Sequence, residues 1–149
     1  MWPGAGSAGH YGRAMTTFVT AAFCLVRDGR LLTVRKAGTA GFMLPGGKID
    51  PGESEREAAV REVMEEVGVD VSDSGEPLGR FHDVAANEPG AFVDATVFVT
   101  HLRPHDDPAP LAEIAEQRWL DLDGELPPDL APLLSNHVVP SLRAHLAAR

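Results

Sequence analysis

The chain has a single cysteine, Cys24, among its 149 residues. An intramolecular disulfide framework is therefore excluded. Cys24 lies in an apolar, strand-like run, which predicts a buried, inert thiol rather than a nucleophile. No apolar run is long enough to cross a bilayer as a helix. The first residues lack the charged-then-apolar order of a secretory signal, so a cytoplasmic protein without a membrane partner is expected. Basic residues are also scarce. Thirteen Lys and Arg face 22 Asp and Glu, for a net charge of −9. Nucleic-acid polymers are bound through a basic surface, so that class is disfavoured. Single nucleotides stay open, because a bound metal ion reverses the local charge. The total acidity equally fits ordinary solubility. At this length, with 44% hydrophobic residues, one domain with its own core is expected.

The acids are not evenly spread. Glu62, Glu65 and Glu66 recur at i, i+3 and i+4 and so share one side of a helix. Like charges at that spacing cost about 0.2–0.5 kcal/mol per pair. They also fall in the last two turns, where the helix dipole disfavours anions by about 0.3–1 kcal/mol each. Two penalties in one place call for a compensating partner, and a hard divalent cation with oxygen ligands is the obvious one. The helix itself is well marked. Ser54 and Glu57 form an S-x-x-E capping box, placing its start near residue 55, and Gly68 is a natural C-terminal stop. Ala59, Val60, Val63 and Val67 make the apolar stripe, with the three glutamates flanking it. The loop before the helix, residues 44–53, contains Gly46, Gly47 and Gly52. Such a loop permits positive φ and close approach, and can offer carbonyls to a metal or N–H groups to phosphate.

Residues 1–14 are glycine-rich and aperiodic and read as a tail, with Met15 a candidate start. The apolar pattern predicts strands over 17–26 and 31–35, joined by the turn signal Arg27-Asp28-Gly29-Arg30. A short strand is expected over 42–44. After the helix, 76–79 is read as a turn, and 80–85 and 92–102 as strands. Val93, Ala95, Val97 and Val99 alternate with Asp94, Thr96, Phe98 and Thr100, as in a half-buried strand. Residues 103–110, with three prolines, predict a loop, and 116–122 a last strand. Leu130, Leu133, Leu134, Val138, Leu142 and Leu146 have helical spacing over 129–146, and Pro140 is expected to kink or split that helix. No internal repeat is visible. Strands mixed with two helices predict an α+β or α/β arrangement, a sheet covered on both faces.

Outside the helix and its loop, several residues could reach a ligand. Arg35 and Lys36 could meet phosphates or simply end a polar strand, and Lys48 is a further cation beside the glycines. Glu88 follows the strand end at 83–87 and could act as a late metal ligand or base. Glu113 and Glu116 could approach from a mobile loop. Trp119 could stack on a base or pack in the core. His101, His105, Asp106 and Asp107 look like a ligand cluster but lack fixed spacing, and read as an exposed polar loop. His82 and His137 read as structural.

The segment from Gly47 to Val69 resembles the Nudix box, G-x5-E-x7-R-E-U-x-E-E-x-G-U, with U aliphatic. Gly47, Glu53, Arg61, Glu62, Val63, Glu65, Glu66, Gly68 and Val69 fill each fixed position. The resemblance implies the Nudix fold, an α+β mixed sheet sandwiched between helices in α/β/α order, over residues 15–149. It also implies hydrolysis of the pyrophosphate link in a nucleoside diphosphate joined to another group, with Mg²⁺ as cofactor and Mn²⁺ as its substitute. Carried over, Glu62, Glu65 and Glu66 would be metal ligands, with the Gly46 carbonyl another and Glu53 serving a second metal or its water. One of the three helix glutamates would double as base, Glu62 being favoured. Arg61 would pair with a box carboxylate and hold the loop to the helix.

Marks of narrower subfamilies are missing. The ADP-ribose type tends to have a proline about 15 residues past the box, and 82–86 has none. The dinucleoside polyphosphate type tends to have a tyrosine nearby, and the only tyrosine is Tyr11. An S-Q-P-W-P-F-x-S signature is absent, and only Leu31-Leu32-Thr33-Val34-Arg35 matches part of a coenzyme A signature. By exclusion, the MutT-like class acting on nucleoside or deoxynucleoside triphosphates is expected, as monomer or homodimer. An ADP-ribose or nucleotide-sugar pyrophosphatase and a silent nucleotide-binding module are the alternatives.

Overall fold

The computed structural model describes residues 16–149, so the tail expected over 1–14 and the candidate start Met15 lie outside the described residues. Six strands, β1 (Thr16–Arg27), β2 (Arg30–Lys36), β3 (Gly46–Lys48), β4 (Glu76–Val84), β5 (Ala91–His101) and β6 (Ile114–Asp121), form one mixed sheet. Its order is β4-β5-β1-β2-β6, with β3 paired to β1. Two helices accompany it: α1 (Glu55–Val67), and α2 (Val139–Ala147), which continues from a π-helical turn at Leu134–Val138.

β1 is the axis of the fold because its sequence is apolar at every position from Ala21 to Val26, and all six are buried. Strand geometry sends alternate side chains to opposite faces. Ala21, Phe23 and Leu25 pack with Val63 and Val67 of α1, while Ala22, Cys24 and Val26 pack with Leu134, Val138 and Leu142. Such continuous burial requires cover on both faces, hence the α/β/α order. β5 runs parallel to β1 from Thr16↔Ala91 to Val26↔His101. Phe98 and Thr100 are consequently buried too, and the simple half-buried alternation expected for this strand does not hold at its end.

The feature that positions the site is a wedge in the sheet. β1 and β2 form a hairpin closed by Asp28 and Gly29, both at positive φ (52° and 74°), as a two-residue primed turn requires. They pair only at Val26↔Leu31 and Arg27↔Arg30 and then diverge. The segment 42–48 fills the gap. Met43 exchanges two 2.8 Å hydrogen bonds with Val34, the Phe23 N–H donates to the Pro45 carbonyl at 3.1 Å, and Gly46, Gly47 and Lys48 pair with Ala22, Ala21 and Thr20.

Three expectations need correction. Residues 76–79 are not a turn but the start of β4. Pro77 is accommodated because β4 is an edge strand with an irregularity between Pro77 and Gly79. The short strand expected over 42–44 is reduced to isolated bridges at Phe42 and Met43, and the strand lies four residues on. The last helix begins at residue 132, and Pro140 does not split it. The Val139 N–H reaches back five residues to the Leu134 carbonyl, and this widened turn absorbs the proline that follows.

Cys24 is wholly buried, and burial pushes its thiol far above the ordinary range. Native protein at pH 8 is expected to resist iodoacetamide, with one equivalent incorporated after denaturation. Rapid labelling of the native protein, followed by mass spectrometry, would contradict the packing described.

Candidate active site

α1 spans Glu55–Val67 because both ends are chemically fixed. Ser54 Oγ accepts from the Glu57 N–H at 3.0 Å, the Glu57 carboxylate accepts from the Ser54 N–H at 2.8 Å, and Gly68 takes the left-handed conformation at φ 74°. The helix packs over β3, and two glycines permit that approach. A Cβ on Gly46 would lie 2.5 Å from the Ala21 carbonyl and 2.6 Å from Ala22 Cβ; one on Gly47 would lie 2.5 Å from Glu62 Oε2. Neither is at positive φ, so space rather than φ requires glycine here, whereas Gly52 does adopt φ 84°.

Arg61 stands at the centre of the acids. Its guanidinium donates to both oxygens of Glu53 at 2.7 and 3.0 Å, to Glu62 at 3.0 Å, to Glu65 at 3.2 Å and to the Lys48 carbonyl at 3.1 Å. Asp50, which the sequence reading did not single out, lies 3.4 Å away. Arg61 thus ties the loop to the helix and meets the charge of three box carboxylates. Glu53 is held low, at about 2, first by its hydrogen bond to Arg61 and then by the Asp50 N–H. Among the described residues, no three His, Cys, Asp or Glu side chains form a ready metal cage. The reason is visible in the contacts: Glu53, Glu62 and Glu65 turn toward Arg61.

Glu66 differs from the other three. It is 2% exposed, lying inside the helix–sheet interface rather than flanking it. Its Oε1 accepts from the Gly46 N–H at 3.3 Å, and its Oε2 is buried without a hydrogen-bond partner. Burial, and next the neighbouring Glu62 carboxylate, raise its pKa to about 8, against the opposing pull of Lys36 and the Gly46 N–H. A buried, half-satisfied carboxylate is unfavourable in isolation. Hard oxygen donors from one helix face, one of them orphaned, fit a hard divalent ion.

Beside this cluster, on the α2 side of the sheet, lies a cavity of about 600 Å³. Its floor includes Phe18, Thr20 and Ala22 of β1, and one wall is the β4–β5 loop from Val84 to Glu88. Gly46, Gly47 and Lys48 line it at the sheet wedge, and Glu62 reaches it past the bare Gly47 backbone. The volume suits a small organic ligand. Lys48 Nζ lies 4.5 Å from the centroid of the Phe18 ring, and Lys36 Nζ is 3.3 Å from Glu113, both of them also lining the cavity.

The structure therefore brings Gly46, Gly47, Lys48, Lys36, Glu62, Glu88 and Glu113 together around one space. It does not bring Arg35, Glu116 or Trp119 there. Arg35 and Glu116 are cross-strand partners on β2 and β6, 3.2 Å apart. Trp119 is partly buried against the α1-side core, with Arg27 5.9 Å from its ring, so its core reading is the one its position supports. The His101–Asp107 loop closes on itself, the Arg103 N–H donating to Asp106 at 2.8 Å. Phe18, Thr20 and Asn87 are not legible as cavity residues in the sequence, because only tertiary packing brings β1 and the β4–β5 loop to one space.

The chain matches the family model for the NUDIX domain over residues 17–141. This chain belongs to the Nudix hydrolase family. The Nudix fold agrees with solved structures. A MutT NUDIX hydrolase from Burkholderia pseudomallei is 26% identical, with a TM-score of 0.68 over 86% of this chain and 97% of that one. The MutT protein from Methanosarcina mazei Go1 shares the fold at 22% identity and a TM-score of 0.72, covering 90% and 99%. A Bacillus subtilis protein provisionally named as an 8-oxo-dGTP diphosphatase is 51% identical over 39 residues, which span 26% of each chain. Among the described residues, no helix of this Nudix chain is long and apolar enough to cross a membrane.

Proposed function

We propose that this Nudix protein hydrolyses the pyrophosphate link of a nucleoside diphosphate derivative, with a nucleoside or deoxynucleoside triphosphate as substrate and Mg²⁺ as cofactor. The observation that carries the reading is the buried Glu66 carboxylate with one orphaned oxygen, beside Glu62, where the cavity opens over Gly46 and Gly47. Glu62, Glu65, Glu66 and the Gly46 carbonyl would hold the metal, with Glu53 supporting a second ion or its water. Bound there, the ion would neutralise phosphate charge and lower the pKa of a coordinated water.

The chain's own groups divide the remaining work. Lys48 and Lys36 line the cavity beside the cluster and supply positive charge for phosphate oxygens. Glu62 is the box glutamate that lines the cavity, and we assign it as the base. It takes a proton from water as the water oxygen bonds to phosphorus. The bridging P–O bond breaks, and its electron pair leaves on the departing phosphate. Arg61 acts indirectly, holding Glu53 and the loop in register with the helix. The short match to a protein named for 8-oxo-dGTP supports a purine deoxynucleoside triphosphate as the first substrate to test.

Phosphate and pyrophosphate release should be measured across nucleoside triphosphates, 8-oxo-dGTP, ADP-ribose, nucleotide sugars and dinucleoside polyphosphates. Release from triphosphates is expected to need Mg²⁺, to stop with chelator and to return with Mg²⁺ or Mn²⁺. Turnover confined to nucleotide sugars would overturn the substrate assignment. Nucleotide binding with no turnover would make the protein a silent module. No Mn²⁺ uptake, even with nucleotide present, would remove the metal site.

A further inference from the structure

The β4–β5 loop that walls the cavity is held by one side chain from outside the box. Asp83 is the residue before Val84, where the lining begins, and its side chain is only 16% exposed. Its Oδ1 accepts from the Val84 N–H at 2.7 Å. Its Oδ2 accepts from Asn136 Nδ2 at 2.9 Å and lies 3.2 Å from His137 Nε2. Asn136 and His137 are consecutive residues of the π-helical turn, and the His137 ring stacks against Phe81 of β4 at 6.5 Å. The Asn136 hydrogen bond, above the other causes, keeps the Asp83 carboxyl below its usual range.

The wide turn explains why both neighbours can reach one carboxylate. Pro140 has no N–H, and in a regular helix its ring would press on the Asn136 carbonyl. The extra residue in the turn relieves this and changes the facing of what precedes it. Consecutive Val138 and Val139 are both fully buried, while Asn136 and His137 point to β4. Widened turns of this kind recur at functional sites.

We propose that Asp83, gripped by Asn136 and His137, is a positioning residue that sets the 84–88 wall of the cavity and thereby its affinity for nucleotide. The effect on affinity rests on the reading of this cavity as the substrate site; the grip itself does not. The latch acts on substrate binding and leaves the carboxylate cluster, on the other side of the wedge, untouched.

Two measurements separate these parts. Amide hydrogen exchange in Asp83→Ala is expected to accelerate about tenfold or more at Ala85 and Ala91, whose N–H groups bond within the loop. KM is expected to rise about five- to tenfold with kcat within about twofold of wild type. His137→Ala should shift both in the same direction by less, and His137→Gln, which keeps a donor, should restore them. If Asp83→Ala does not fold, His137→Ala carries the test. Unchanged exchange overturns the latch whether or not the protein turns over any nucleotide. Faster exchange with unchanged KM, or a fall in kcat alone, overturns its role in affinity. Wild-type protein that hydrolyses none of the panel overturns the hydrolase reading and leaves the exchange result to decide the latch.

Discussion

Glu66→Gln is expected to lower turnover by about three orders of magnitude or more, since it removes a charged oxygen donor from a water-poor site. The fold should survive, because glutamine has the same shape and Oε1 keeps its acceptor role toward the Gly46 N–H. Stability in chelator should separate this from a folding defect. The pKa of Glu66 is raised in the folded protein from 4.5 to about 8. The folded state therefore holds its proton more tightly than the unfolded state does. That contribution is complete below about 4.5 and is lost as pH rises through about 8. Without metal, wild-type protein should lose stability relative to Glu66→Gln across that window, and the variant should be at least as stable at its upper end. Urea melts at several pH values measure this. Glu65→Gln offers the contrast: its side chain is 54% exposed and bonds Arg61, so its turnover should fall with little change in stability. Wild-type turnover by Glu66→Gln in saturating Mg²⁺ would remove Glu66 from the site.

The two glycines of the wedge should fail in different ways. Gly46→Ala drives a methyl into the β1 backbone, 2.5 Å from the Ala21 carbonyl, which cannot move without breaking the β1–β3 pairing. We expect a loss of about 2–4 kcal/mol and a Tm lower by roughly 6–15 °C. Gly47→Ala meets only the far end of Glu62, a flexible side chain that can swing aside. Its stability should change by less than about 1 kcal/mol. Displacing Glu62 by an ångström or more should nonetheless reduce turnover about a hundredfold. Paired calorimetry and kinetics on the two variants decide this. A Gly47→Ala enzyme with normal turnover would detach Glu62 from the chemistry, and a Gly46→Ala protein with unchanged Tm would refute the close approach.

Much of the site was readable because its code is local. The capping box, the stop at Gly68 and the apolar stripe give α1 its bounds, and i, i+3, i+4 spacing places three glutamates on one side of it. What spacing could not say is how deep each glutamate goes. Glu65 and Glu66 are adjacent and chemically identical, yet one is half exposed and the other sealed, because the Gly46 backbone closes over Glu66 alone. Arg35, Glu116 and Trp119 show the same limit in reverse. Their chemistry suited a nucleotide, but strand register turns Arg35 to Glu116 and Trp119 to the core. The rule that an interior proline kinks or splits a helix is local, and it omits the wide turn that packing against the sheet can stabilise.

The linear order of residues was enough to specify the capped acidic helix, its glycine-bearing loop and the apolar strands around them, since each depends on neighbours within a few positions. Three-dimensional packing alone decided where β1 and β2 part, which carboxylate is sealed without a partner, and that Asp83 meets Asn136, 53 positions further along the chain, and its neighbour His137. Those contacts join distant segments, and no pattern within one segment encodes them.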